Sequence, residues 1–511
     1  MKLIVYKIYT MSFIRKIKTK SGTYLAEVES QWKNGKVCQK HIRYVGKVEN
    51  NRTVLSTSVS EISIDSVKMS GALPLLHDIA KSIDLPTILG DYSNELLSMV
   101  YAHCLDYKSL NNMPQWFERS DLNRLLNLEG LTQSKLLKAL DSLNNQDLTE
   151  LQLRIFDRSQ EVYDFSTNGV LYDVTNTYVY GTKTQLAKLG YSKDGKRRCP
   201  LIQIGLAVTK EDGIPLIHKA FEGNMRDPQT FTSLNESLLQ YGIKNPLVIY
   251  DRGIVSRKNL LLSRENNWHC ITGLSLQGEL KNKVIKCAKK SSILNFKNRV
   301  ELPQSSYYVL SENYEHSGIA GKLLICLNNQ LRIKTREARH DEISHAQKQL
   351  QQKNRIKEGL KKYFDSNNKP LLSKIQEAEL FDGFSCLFCT NKALPKHEIL
   401  QLYYEKDLIE KAFQTLKGVV NIQPIRHWLY NRVIAHIFIC YLSYLLLSIM
   451  KYKLKKISMS PITAIEHLRN LYSIYIKDLN NNFLLTKCVT PNKSQVQIIK
   501  QINPLLLKDF P

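Results

Sequence analysis

Between Gly169 and Gly273, apolar runs, turn signals and amphipathic stretches follow one another in an order that leaves few ways to fold. GVLYDV (Gly169 to Val174), LIQIGLAVT and IPLIHKAFEG read as strands, the last two joined by the turn Lys210-Glu211-Asp212-Gly213. Asp227-Pro228 then opens a helix, with Asp as N-cap and Pro in the first turn. PLVIYD is a strand ending in Asp251, Ser256 to Arg264 is helical, and WHCITG is a strand. Three strands, a helix, a strand, a helix and a strand make the order of an α/β layer architecture. An aspartate near one strand end, such as Asp173 or Asp251, is ordinarily a cap or turn residue. Two of them in this order are more specific when a third acid follows.

That third acid lies in YYEKDLIEKAFQTLK, Tyr403 to Lys417. No Gly or Pro interrupts the stretch, and Leu408, Ile409, Ala412, Phe413 and Leu416 recur at helical spacing, so one helix is predicted. Tyr403, Glu410 and Lys417 are two turns apart each, with Lys406 at the edge of the same stripe. A carboxylate between two lysines and a tyrosine suits a metal-bound acid beside a phosphate backbone. A solvated charged face would carry the same pattern.

The spacing Tyr, two residues, Lys, three residues, Glu, six residues, Lys resembles the Tyr-Arg-Glu-Lys signature of DDE-type insertion-sequence transposases, which have a ribonuclease-H-like catalytic core. Lys406 stands where that family usually has Arg, keeping the charge and losing the bidentate fork. The resemblance covers roughly Gly169 to Met450. It matches Asp173, Asp251 and Glu410 to the three catalytic positions and Arg252 to a basic neighbour of the second. It implies that Asp173, Asp251 and Glu410 hold two Mg²⁺ ions (Mn²⁺ in substitution), with Asp173 bridging them. Arg252, Lys406 and Lys417 would hold phosphates, and Tyr403 would stack or hydrogen-bond on DNA. Two hard divalent ions suit phosphodiester transfer because they stabilise both attacking and leaving oxygens.

The expected fold is therefore α/β: a ribonuclease-H-like core with an inserted subdomain, preceded by a small β unit and a helical DNA-binding region. The expected boundaries are 1–69 for a basic β unit, 70–165 for the helical region and 166–274 for the first part of the core. An insertion over 275–378, the second part of the core over 379–455 and a C-terminal region over 456–511 complete the chain. The β unit rests on alternating runs separated by Ser21-Gly22 and Asn34-Gly35. In the helical region Thr132 is a plausible N-cap. The connection from Asp251 to Glu410 is too long for a simple loop, hence the insertion. It reads as strands through VELPQSSYYVLSE and GKLLICLNN, then a charged helix from Thr335 to Tyr363.

Charge narrows the partners. The 511 residues carry a formal net charge of +25, which favours a polyanion. The expected partner is DNA, both element ends and target, bound by a homodimer, in the cytoplasm on the nucleoid and without a membrane. Val433 to Met450 is apolar for about the length that spans a bilayer, but it carries His436, Ser443 and Ser448 and reads as a buried core helix. Cys386 and Cys389 have no second pair to make a structural zinc site, so the thiols read as free. No phosphate-binding Gly-x-x-x-x-Gly-Lys-Ser/Thr loop is present. The expected activity is that of a DNA transposase that cleaves element ends and joins the 3′-OH to target DNA. The alternatives are a nuclease that cuts without joining and a non-catalytic DNA-binding protein.

Overall fold

The alternating N-terminal runs form an antiparallel sheet of β1 (Ser12–Thr19), β2 (Gly22–Lys33), β3 (Lys36–Glu49) and β4 (Arg52–Leu55). Gly35, at φ 72°, supplies the left-handed backbone its hairpin needs. Asn34, its expected turn partner, lies outside the described residues. This computed structural model describes residues 12–33, 35–49, 52–55, 62–180, 183–192, 195, 199–243, 246–289, 291–352, 355–478 and 483–510. β5 (Ile62–Met69) does not join the first sheet; its partners come from the far end of the chain.

Seven helices follow: α1 (Leu73–Ser82), α2 (Leu85–Leu89), α3 (Ser93–Leu105), α4 (Met113–Arg119), α5 (Leu122–Leu126), α6 (Gln133–Ser142) and α7 (Leu148–Tyr163). Thr132 caps α6, its hydroxyl accepting from the Lys135 N–H at 3.2 Å.

The central sheet begins with β6 (Gly169–Tyr178), β7 (Leu201–Thr209) and β8 (Pro215–Glu222), an antiparallel meander. After α8 (Asp227–Leu238), β9 (Leu247–Tyr250) lies parallel to β6. After α9 (Arg257–Glu265), β10 (His269–Leu274) lies parallel to β9. Asp227 is the first residue of α8 rather than its cap; Arg226 takes the cap position in extended backbone. β6 outruns its expected end at Val174 because its β7 pairing continues to Tyr178.

The next stretch holds α10 (Gly278–Lys289), β11 (Arg299–Leu302), β12 (Ser305–His316), β13 (Ile319–Leu327), α11 (Asn329–Gln351) and α12 (Leu372–Glu379). β14 (Phe384–Cys389) then pairs with β10 on one side and β13 on the other. The full order is β11-β12-β13-β14-β10-β9-β6-β7-β8, so the three added strands extend the main sheet instead of forming one of their own. The charged helix starts earlier and ends sooner than the expected Thr335 to Tyr363. Asn328 caps α11, its side chain accepting from Leu331 N–H at 2.9 Å, and Glu358–Tyr363 is a separate 3₁₀ segment. Only Ile343 and Ala346 of α11 are buried, and its polar anchors include an Arg339–Asp382 ion pair and the contacts of Arg336 and His340 with Glu379.

The chain ends in α13 (Lys396–Tyr404), α14 (Asp407–Gly418), α15 (Tyr430–Leu454), α16 (Pro461–Leu468), β15 (Tyr472–Asp478), β16 (Phe483–Cys488) and α17 (Lys493–Ile502). β5 pairs with β15, closing a three-stranded sheet from both ends of the chain. Buried Asp121 holds this joint: it pairs with Arg124 at 2.7 Å and accepts from the Ser473 hydroxyl at 2.7 Å and from the Tyr475 hydroxyl. α15 is long and apolar enough to cross a membrane, yet 94% of its apolar window is buried inside the protein. It packs on α1, α3 and α6 on one hand and on β8 on the other. The Tyr441 and Tyr444 hydroxyls donate to the carbonyls of Leu216 and Gly213, each at 3.0 Å. The helical region and the central sheet thus share one apolar core through α15.

Candidate active site

The parallel register of β6 and β9 pairs Leu171 with Ile249 and Tyr172 with Tyr250. Asp173 and Asp251 are the next residue on each strand, and neighbouring strands lie about 4.8 Å apart. Tyr172 and Tyr250 turn to one face, where both rings pack on Phe231 at 5.2 and 5.0 Å. Side chains alternate along a strand, so Asp173 and Asp251 turn to the other face. That face carries Leu171 and Ile249 and is covered by α13 and α14. Asp251 stands at a strand end and accepts from the Arg252 N–H at 2.8 Å. Asp173 is in mid-strand, level with the point where its neighbour β9 stops.

The single helix predicted for Tyr403 to Lys417 is two helices. α13 ends at Tyr404, α14 starts at Asp407, and the turn between is held by the Leu408 N–H on the Glu405 carbonyl and the Ile409 N–H on the Lys406 carbonyl, each at 3.0 Å. No Gly or Pro marks the break; packing imposes it. The Tyr404 ring lies 4.9 Å from that of Tyr307, while α14 buries Ile409, Ala412, Phe413 and Leu416. The break gathers the polar groups. The Tyr403 hydroxyl donates to Asp251 Oδ1 at 3.2 Å. Lys406 Nζ sits 3.3 Å from Asp251 Oδ1, 3.9 Å from Glu410 Oε1 and 5.1 Å from the Tyr403 ring centre. Through that shared ammonium the Asp251 and Glu410 oxygens are within about 7 Å of each other, close enough to share a two-ion centre.

Burial pushes the Asp251 carboxyl up, but the Lys406 charge, the Arg252 N–H and the bonds from Lys406 and Tyr403 outweigh it and hold the group below its usual value. Asp251 is therefore ionised at neutral pH. Burial pushes the Tyr403 phenol well up, and the negative charges of Asp251 and Asp173 push the same way, so Tyr403 is a neutral donor. Asp173, Asp251, Glu410, Tyr403 and Lys406 thus come together, and Arg252 is exposed beside them. Lys417 is half-buried in the last turn of α14, two turns or roughly 10 Å beyond Glu410.

Two neighbours escaped the sequence reading. Asp227, read only as a helix opener, has a carboxylate oxygen 3.4 Å from where a Cβ at Gly253 would stand; burial pushes the Tyr172 hydroxyl up, and the charges of Asp173 and Asp227 add to that push. Gly273, in WHCITG, is the other. A Cβ there would stand 2.7 Å from the Tyr403 oxygen and 3.3 Å from the Arg252 Cβ. Gly273→Ala is expected to push the phenol off Asp251 and remove one hydrogen bond to a charged group, worth about 1.5–3 kcal/mol. The check is a circular dichroism melt; an unchanged midpoint would mean that the phenol does not hold the Asp251 carboxylate.

Three carboxylates on one face, at least one held ionised, with a lysine ammonium lodged between two of them, form a hard-oxygen donor set suited to a divalent cation. A family model described as "Transposase DDE domain" matches residues 164–446. No curated protein sequence matches the chain. Among solved structures, the cryo-EM structure of the piggyBac transposase synaptic complex with hairpin DNA matches with a TM-score of 0.36 and 8% identity, over 78% of this chain and 77% of that one.

Proposed function

Because the chain belongs to the family of transposases with a DDE domain, we propose that it binds the ends of a mobile DNA element, cleaves them and joins the freed 3′-OH to target DNA, with Asp173, Asp251 and Glu410 as the catalytic acids. The observation that carries this reading is the convergence of those acids from β6, the end of β9 and the first turn of α14. The sheet order β8-β7-β6-β9-β10, with a meander followed by two parallel strands, supports a ribonuclease-H-like core. Asp173, Asp251 and Glu410 would hold Mg²⁺ or Mn²⁺, which when bound polarises the scissile phosphate and favours an ionised nucleophile. Tyr403 fixes the Asp251 carboxylate, and Lys406 balances Asp251 and Glu410 before DNA arrives. The net charge of +25 supports DNA as partner, with Arg252 and Lys417 as phosphate contacts. A homodimer on the two element ends and a cytoplasmic, nucleoid-associated location belong to the same proposal.

The test is product analysis. Purified protein, Mg²⁺, labelled DNA bearing the element's terminal repeats and a target plasmid should yield nicked ends and joined products; cut ends that never join would make the protein a nuclease.

Two substitutions separate chemistry from binding. Lys406→Met removes the charge that lowers the Asp251 carboxyl and leaves the burial that raises it. The Asp251 carboxyl then rises, and the acid limb of the cleavage pH profile should move to higher pH. Lys417→Ala should weaken binding to specific and unrelated DNA alike and reduce the slope of log affinity against log salt by about one. A salt titration that keeps the wild-type slope would leave Lys417 a residue of the α14 surface alone.

A further inference from the structure

Away from the carboxylates, a second group of donor atoms converges where α3 packs against α15. His436 and Cys440 are one turn apart on α15 and share a face. His103, from α3, faces them, and the ligand atoms of the three residues all lie within 4.8 Å of one another. All three residues are buried. Cys440 Sγ is 3.8 Å from His103 Nδ1 and 3.8 Å from His436 Nε2. A tetrahedral zinc ion with Zn–S near 2.3 Å and Zn–N near 2.0–2.1 Å needs S···N separations of about 3.6 Å. Two edges of that tetrahedron are therefore nearly in place. A cavity of about 360 Å³, lined in part by His103, His427 and His436, gives access from outside. The His427 ring stands in this cavity, 5.5 Å from the His436 ring.

We propose that His103, His436 and Cys440, with His427 as fourth ligand, bind one borderline-soft divalent cation of the zinc class. The donor set separates this site from the carboxylates: three imidazoles and a thiolate select zinc over magnesium, which prefers oxygen. His103 Nδ1 lies 2.5 Å from the Val420 carbonyl and His436 Nε2 lies 3.3 Å from the Ile422 carbonyl. Each of these nitrogens therefore carries its proton and donates. On binding, each imidazole proton shifts from the ligating nitrogen to the other ring nitrogen, and the Cys440 thiol releases its proton to solvent. The balance is one proton released per ion bound. The ion would clamp α3, α15 and the 420–427 segment together. That segment follows directly on α14, the helix that carries Glu410. The proposal stands apart from catalysis: it predicts a structural ion that the carboxylate site neither shares nor requires.

The experiment uses the purified full-length protein in saturating Mg²⁺, with Co²⁺ as the spectroscopic probe. One equivalent of Co²⁺ should give a thiolate-to-metal charge-transfer band with the visible spectrum of a tetrahedral centre, and Zn²⁺ should displace it. Asp251→Asn should keep the band, and Cys440→Ser should lose it. No band in the wild-type protein, or an undiminished band in folded Cys440→Ser, would overturn the proposal and leave these residues as packed histidines bonded to carbonyls. If Cys440→Ser does not fold, His427→Gln, at the cavity, serves instead. It should weaken Co²⁺ binding at least tenfold, and unchanged affinity would equally overturn the proposal.

Discussion

Asp251→Asn should lower Mg²⁺-dependent strand cleavage by at least about 10³-fold while leaving DNA affinity close to that of the wild type. The carboxylate is held ionised against its own burial by Lys406, the Arg252 N–H and Tyr403. The amide has nearly the same shape and can still accept from Tyr403, so the local fold survives. What it loses is the charge that would anchor an ion. Metal stabilisation of the transition state is worth several kcal/mol, and each 1.36 kcal/mol is a decade in rate. Asp173→Asn and Glu410→Gln should behave the same way, each tested by cleavage of labelled ends beside a gel-shift titration. Near-normal cleavage by any one of the three would remove that residue from the catalytic set. Loss of binding in parallel with cleavage would point instead to a damaged fold.

Phe438→Ala should cost about 3–5 kcal/mol of stability, the usual penalty for emptying a buried aromatic site. Phe438 is fully buried on α15, with its ring 6.0 Å from those of His218 on β8 and Tyr441. Because α15 packs on both the helical region and the central sheet, the loss falls on both at once. Domain stabilities lie around 5–15 kcal/mol, so the urea midpoint should drop steeply, with helical and sheet signals moving together. Leu331→Ala, on the exposed side of α11, should stay within about 0.5 kcal/mol. A Phe438→Ala midpoint close to wild type would mean that α15 is not the shared core.

The central strands were legible because each is a short apolar run bounded by strong turn signals, and Asp251 because it ends one of them. α15 was legible as a core helix from the polar residues inside its apolar run, although length alone would also have allowed a bilayer span. The break at Glu405-Lys406 was not legible. Its residues are good helix formers, and it exists only because Tyr404 and α14 pack on different partners. The early start of α11 was missed because Asn328, its cap, closes a strand and reads as a turn residue. Asp227 and Gly273 could not be found from local pattern, since their importance comes from what stands beside them in space. The same holds for His103 and Cys440, which sit on helices far apart in sequence.

The sheet shared by β5 and β15 sets a timetable for synthesis. Its two strands lie about 400 residues apart, so at ordinary ribosomal speeds roughly 20–80 s pass between the making of one and of the other. Throughout that interval β5 presents an unpaired edge, and Asp121 waits for the hydroxyls of Ser473 and Tyr475. A nascent chain can therefore complete this part of its helical region only after β15 has been made. A transcript cut short before β15 would release a protein with that edge open and that carboxylate short of two of its partners, a chain better suited to aggregation than to handling DNA.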